Sequence, residues 1–201
     1  RRTGGSALNG PVCGGMRMQV KGIAVRSTPL FVRQRFAGRL PAWLDALPPA
    51  SRAVMEGRIA TDGWYPLTDA FVVPTRAVCD LFFQGSRDGA WQIGRFSADY
   101  ALWGLLRLFV RFGSPHFLIR RASQVFSAYY RPSEIVVDSA APTTAIVRIT
   151  RFPQPEELVE LRIGGWMERA LEISGCSGVQ LVVRKSLTRG DPATEFEAVW
   201  R

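Results

Sequence analysis

EIVVDSA (residues 134–140) and TTAIVRITRF (residues 143–152) decide how this chain folds. Both are β-rich, and the turn around Ala141-Pro142 between them makes the pair a β-hairpin. They also mark a change of period. The long segments before them repeat at helical spacing, whereas most segments after them read as strands. Immediately upstream, Leu118, Ala122, Val125 and Tyr129 fall on one face of a helix expected over 115–130, with Ser114 as N-cap and Pro115 in the first turn. Immediately downstream, 156–174 is helical, with acidic residues in its first turn where the helix dipole favours them. GVQLVVRKSL (178–187) and TEFEAVW (194–200) are further strands joined by the turn RGDPAT (189–194), and Phe196, Ala198 and Trp200 alternate toward one face.

Further upstream, two more long helices are expected. One covers about 67–83 and should kink or split at Pro74, which lacks an amide donor and crowds the preceding turn. The other covers about 90–112 with a break near Gly104. LPAWLDAL (40–47) and PASRAVMEG (49–57) are short helices separated by Pro48-Pro49. VKGIAV (20–25) reads as a strand, followed by a helix capped at Ser27 or Thr28 with Pro29 in its first turn. Residues 1–15 are rich in Gly and small polar residues and read as a flexible leader or an upstream remnant, with Met16 or Met18 as the true start. Helices first and antiparallel strands later give an α+β class, and the chain from 16 to 201 is expected to be a single ligand-binding domain.

Composition narrows the function. A length of 201 residues, 47% hydrophobic with 11% aromatic, suits one buried core and rules out a disordered chain. Apolar runs are interrupted well short of the ~20 residues that span a bilayer, so no transmembrane segment is expected. The N-terminus lacks the apolar region of a secretory signal, and a cytoplasmic location is the expectation. The net charge of +9 comes from arginines scattered along the whole chain, with Lys21 and Lys185 as its lysines. A dispersed charge of this kind does not form a nucleic-acid footprint, and no specific nucleic-acid partner is expected. Cys13, Cys79 and Cys176 are far apart without metal-ligand spacing, and Cys79 within AVCDLFF reads as a small buried hydrophobe. His116 is the one histidine, a thin basis for a metal site or a catalytic triad. No cofactor is expected.

Several single residues admit a local reading. Asp99 comes one helical turn after Arg95, which predicts an i,i+4 ion pair. Asp191 and Glu195 flank the closing turn and read as turn and strand residues. Gly164-Gly165 is expected to let a helix approach the sheet closely. The aromatic residues Phe96, Tyr100, Trp103, Phe109, Phe117, Phe126, Tyr129 and Trp166 exceed what one amphipathic stripe needs. Core packing explains any one of them, and a ligand pocket explains the excess.

Four stretches taken together carry a resemblance: WYPL (64–67), IGRFSADYALWGLLRL (93–108), GGWMERALEISG (164–175) and GVQLVVRKSLTRGDPATEFEAVW (178–200). They resemble an uncharacterised family, described mainly from myxobacteria, that is similar to the 4-vinyl-reductase-type domain. The same layout is similar to core subunits of the eukaryotic transport-protein-particle tether. There the matching positions are Ile93-Gly94-Arg95 with Asp99-Tyr100, Gly165 with Ala170-Leu171-Glu172, and the stretch from Leu187 to Glu195. The resemblance implies a helical subdomain on a twisted antiparallel sheet, often around an apolar cavity, in a superfamily that also contains the heme-nitric-oxide-binding domains. The heme members use an axial histidine and a Tyr-x-Ser-x-Arg motif. Here His116 falls about a dozen residues early and Tyr130-Arg131-Pro132-Ser133 has the wrong order, so heme is not implied. Ser114-Pro115 stands where some tether subunits have an acylated cysteine. Ser186 and Thr194 stand near the place where some 4-vinyl-reductase-type domains have cysteines, so neither acylation nor a metal is implied there.

The expectation is a non-catalytic domain that binds a small apolar molecule between the helices of 90–130 and the sheet, acting as a regulatory sensor. Its candidate ligand-binding residues are Phe96, Tyr100, Trp103, Phe126 and Tyr129, around a volume of ~300–1,000 Å³. The alternatives are a protein-interaction scaffold, with a second copy or another protein as partner, and an enzyme acting on a tetrapyrrole-like substrate.

Overall fold

A computed structural model of the chain describes residues 17–102 and 115–201. The expectations for the leader (1–15), for a start at Met16 and for the stretch around Gly104 lie outside the described residues. β1 (Gln19–Lys21) runs straight into α1 (Gly22–Arg35). The helix therefore begins several residues before the expected cap, and Ser27, Thr28 and Pro29 lie inside it. The reason lies across the chain. The Gly22 and Ile23 amides donate to the carbonyls of Gly63 and Thr61 at 2.9 and 3.0 Å, so a neighbouring loop satisfies first-turn donors that a side-chain cap would otherwise serve. Only glycine fits at position 22, because a Cβ there would lie 1.9 Å from the Ala60 carbonyl oxygen.

α2 (Leu40–Asp45) and α3 (Pro49–Glu56) form where the sequence places them, each with proline in its first turn. β2 (Trp64–Pro66) pairs with β1, which also pairs with β3 (Tyr130–Arg131), to make a small three-stranded sheet. The helix expected to split at Pro74 instead changes type. A π-helical turn (Thr68–Val72) feeds α4 (Val73–Phe82), which places Pro74 in the first turn of the new helix, where a missing amide is tolerated. The buried Trp43 indole donates to the Pro74 carbonyl at 3.1 Å. α5 (Asp88–Ala101) comes next, and the helix expected over 115–130 is divided at Arg121 into α6 (Pro115–Arg120) and α7 (Ala122–Tyr129).

The hairpin is β4 (Glu134–Ala141) and β5 (Thr144–Arg151). α8 (Glu157–Ile173), β6 (Gln180–Lys185) and β7 (Thr194–Val199) complete the chain, and the larger sheet is antiparallel in the order β4-β5-β7-β6. Ala145, Val147 and Ile149 of β5 and Phe196 and Ala198 of β7 are buried on one face, with Trp200 buried just beyond. α8 is sandwiched between α5 and this sheet, and α6 and α7 close over β4. The class is α+β, helices on one side of a twisted antiparallel sheet. The outer face of the sheet exposes Val136, Val182 and Val199 but interleaves them with the ion pairs Arg148–Glu195 and Arg184–Glu197, so it is a mixed, solvated surface. No helix of the described residues is long and apolar enough to cross a membrane.

Candidate functional site

Everything that shapes the site depends on how closely α8 approaches α5. A Cβ on Gly94 would lie 2.2 Å from the Arg162 carbonyl oxygen, and one on Gly165 would lie 2.2 Å from that of Trp91. A Cβ on Gly164 would run into the Trp91 ring at 2.4 Å. The glycine pair thus serves helix-on-helix contact, not the helix–sheet approach expected from sequence. This contact also rewires the charges. Arg95 does not pair with Asp99 along its own helix. It reaches across to Glu168 and to Glu172, the latter at 2.8 Å, while Asp99 pairs with Arg169 at 2.8 Å. Two helices in backbone contact bring opposite charges nearer across the seam than along one helix.

Arg162, whose carbonyl lies in that seam, is 2% exposed. Its Nη1 donates to the hydroxyls of Thr28 (3.0 Å) and Thr75 (2.8 Å). Its Nη2 donates to Ser27 Oγ (2.9 Å) and the Ala24 carbonyl (3.3 Å). The guanidinium also stacks 3.6 Å from the Phe71 ring centroid. None of these partners is a carboxylate. Burial pulls the Arg162 pKa down to about 9, which leaves it cationic at neutral pH. Sequence reading missed this residue. Its one signal was position, since Leu158, Val159 and Ile163 around it are buried and Arg162 interrupts that apolar stripe.

Arg162 is part of the wall of a cavity of about 100 Å³ between α5, α6, α7, α8 and the inner face of the sheet. The face read from sequence at Leu118, Ala122, Val125 and Tyr129 forms one wall. Phe71, Phe126, Tyr130 and Trp166 contribute rings, and Ala145, Val147 and Ala198 form the floor from the sheet. Tyr129 and Trp166 face each other with ring centroids 6.1 Å apart. Burial pushes the Tyr129 phenol up to about 12 and the Tyr130 phenol higher still, so both stay neutral hydrogen-bonding groups. Two buried donors at this wall have no hydrogen-bond partner among the described residues: Arg162 Nε and Trp166 Nε1.

The candidate residues from sequence divide. Phe126 and Tyr129 line the cavity. Phe96 does not, because its ring turns to the other side of α5 and packs edge-on against Phe31 at 5.5 Å. Tyr100 is half-buried near the end of α5 and is also absent from the lining. Trp103 and Phe109 lie outside the described residues. Phe117 is exposed, with the Arg121 guanidinium over its ring. The volume is about 100 Å³, below the ~300–1,000 Å³ expected.

The remaining polar groups of interest are structural. Glu160, a buried carboxylate of α8, accepts hydrogen bonds from Ser186 Oγ (2.5 Å), Thr188 Oγ1 (3.4 Å) and Thr194 Oγ1. It ties the closing turn to the helix, which is the work Ser186 and Thr194 do here. Asp191 accepts from the Ser186 amide at 2.7 Å, and Glu195 is held by Arg148 and Lys185. Burial raises the Cys79 and Cys176 thiols, which disfavours thiolate. Among the described residues no three His, Cys, Asp or Glu side chains gather as metal ligands would.

No family model matches this chain. Comparison with curated proteins finds no match either. Solved structures do match, and the ones most informative here are H-NOX proteins. The H-NOX protein from S. oneidensis in the Fe(II)NO ligation state has a TM-score of 0.69 at 12% identity, over 90% of this chain and 99% of that one. The Fe(II) unliganded H-NOX protein from K. algicida has a TM-score of 0.66 at 10% identity, over 90% and 96%. A mutant H-NOX from T. tengcongensis has a TM-score of 0.62 at 10% identity, over 90% and 97%.

These matches correct the assignment to the 4-vinyl-reductase-type family. The fold is that of H-NOX domains. The short motifs behind that resemblance mark the tight α5–α8 contact at Gly94 and Gly165, which is a property of the packing and does not identify a family. The fold raises the question of heme, and the described residues around the cavity do not fit one. Among the described residues, the lining of the cavity has neither histidine nor cysteine. The cavity phenols are held protonated, and about 100 Å³ falls below the ~300–1,000 Å³ of pockets for drug-sized ligands.

Proposed function

We propose that residues 16–201 form a single cytoplasmic domain that binds a small apolar molecule and acts as a sensor, without catalysis. The observation that carries the reading is the cavity under α7, whose walls are almost wholly carbon and whose rings converge from four elements. Its volume is on the scale of the ~150 Å³ engineered cavity that binds benzene. Phe126 and Tyr129 are its binding residues, together with Trp166 and Tyr130. The H-NOX proteins matched by fold are described in Fe(II) and NO ligation states. This supports a ligand-binding role for the fold. Binding is favoured over catalysis because the polar groups at the wall are two neutral phenols, an indole, a guanidinium and the Ser97 hydroxyl, which donates to Ser27, none of them a base at neutral pH. A scaffold role would need a dry apolar patch, and the charged ladder on the outer sheet face does not supply one.

Benzene tests the reading. Saturating benzene should raise the thermal midpoint of the full chain by a few degrees, as a ligand that binds only the native state must. Ala122→Trp puts an indole into the lining and should abolish the shift while the protein still unfolds cooperatively. An unchanged midpoint for the parent protein, or an equal shift in a folded Ala122→Trp variant, would place apolar binding elsewhere or nowhere.

A further inference from the structure

We propose that the ligand of this cavity is a small carboxylate with an apolar body, and that its anionic end is read by Arg162 and Trp166. The inference rests on the cavity being the binding site. It begins with an imbalance. Arg162 is a cation sealed in the interior, and every partner it has is neutral: three hydroxyls, one carbonyl and a ring face. Buried charges are ordinarily matched by an opposite charge, because desolvating an ion costs several kcal/mol that neutral dipoles only partly offset. The half-buried arginines on the neighbouring seam do have carboxylate partners: Arg95 has Glu168 and Glu172, and Arg169 has Asp99 and Glu172. Arg162 differs from them, and it borders the cavity.

A second observation points the same way. Native proteins leave few buried donors without an acceptor. Here Arg162 Nε and Trp166 Nε1 are both unpartnered among the described residues. They stand four residues apart on α8, one turn along the same face, and both residues line the same cavity. Two N–H donors so placed, one of them on a cation, ask for a ligand with two acceptor oxygens and a negative charge. A carboxylate meets that need with one oxygen on each donor. Nη1 and Nη2 are already engaged by the protein, so they hold the guanidinium in a fixed orientation and leave Nε as the free donor. Apart from the Ser97, Tyr129 and Tyr130 hydroxyls, the rest of the wall is apolar, which sets the body of the ligand as aliphatic or aromatic. The rings of Phe71, Phe126, Tyr129 and Tyr130 suit an aromatic body best.

Benzoate and nitrobenzene form the test pair, because they share a shape and differ in charge. Ligand-observed NMR titration of the full chain at neutral pH should show benzoate binding at least about tenfold more tightly than nitrobenzene, the scale of a charge-assisted hydrogen bond. Arg162→Met should remove that preference. Trp166→Phe keeps an aromatic ring there and deletes one donor. It should weaken benzoate by roughly five- to tenfold more than it weakens nitrobenzene. A merely structural role for either residue would move both ligands together. Nitrobenzene binding as tightly as benzoate would overturn the carboxylate inference and leave the apolar site standing. Binding of neither would overturn both.

Discussion

At the scale of the residue, Arg162 stands out by what it lacks. Thr28, Thr75 and Ser27 surround its guanidinium with hydroxyls, and Ser27 in turn accepts from Ser97 Oγ at 2.6 Å. Ser27 and Thr75 also send their own protons to backbone carbonyls, Ala24 and Phe71, at 2.6 Å each. Those two hydroxyls therefore keep an acceptor if the guanidinium is removed. The expected result is unusual for a buried polar residue. Arg162→Met, which fills similar volume without charge, should leave the urea-unfolding free energy of the unliganded protein unchanged or raise it by ~1–4 kcal/mol. A loss of more than about 3 kcal/mol would show that the hydroxyl cluster depends on the guanidinium for its order. Glu160 is the contrasting case on the same helix. Its carboxylate is also buried without a cation, but three hydroxyls donate to it and none of its neighbours is left short. The difference separates a group that serves the fold from one that waits for a ligand.

At the scale of the element, α5 and α8 act as a unit. Their backbones touch at Gly94 and Gly165, the Trp91 ring lies over Gly164, and the Trp91 indole donates to Glu168 at 2.9 Å. This contact sets how far α8 stands from the sheet, and so the depth of the cavity on its other side. Gly94→Ala pits two effects against each other. Alanine is the better helix former by ~1 kcal/mol. Its methyl, however, would sit 2.2 Å from the Arg162 carbonyl oxygen, where the neighbour is backbone and cannot swing away. Overpacking of this kind typically costs ~1–3 kcal/mol and more where backbone must move, so the clash wins. Gly94→Ala should lower the urea midpoint by the equivalent of about 2 kcal/mol or more. A variant as stable as the parent would mean that the helices part at little cost. Because the same movement displaces Arg162, the variant should also lose ligand response.

At the scale of the molecule, the last strand lies at the centre of the main sheet. β7 is bonded to β5 on one side and β6 on the other, and it carries Phe196 and Ala198 into the core with Trp200 behind them. The Thr194 hydroxyl and the closing turn are pinned to α8 through Glu160. Removing residues 190–201 would leave two strands without a common neighbour and open the cavity floor at Ala198. The expected loss is most of the ~5–15 kcal/mol that holds a domain of this size. A truncated chain should give no cooperative transition in thermal unfolding monitored by circular dichroism. A cooperative transition at the parent midpoint would show that the last strand is dispensable.

What the sequence by itself determined is what depends on near neighbours. The hairpin at Ala141-Pro142, the alternation of Phe196, Ala198 and Trp200, the turn at Gly190 and the face of Leu118, Ala122, Val125 and Tyr129 all arise from period and turn chemistry, which act over a few residues. The tertiary structure decided what depends on distance between elements. An arginine in sequence carries the same charge whether it points to solvent or into a core. Only the approach of α1 and the π-helical turn made Arg162 a buried cation with one donor to spare. Arg95 had a carboxylate one turn away and another across a helix seam, and the glycines of α5 and α8 brought the second closer. Cavity volume is the residue of such inter-element distances. It differs from zero by an ångström or two of helix position, which no local pattern encodes.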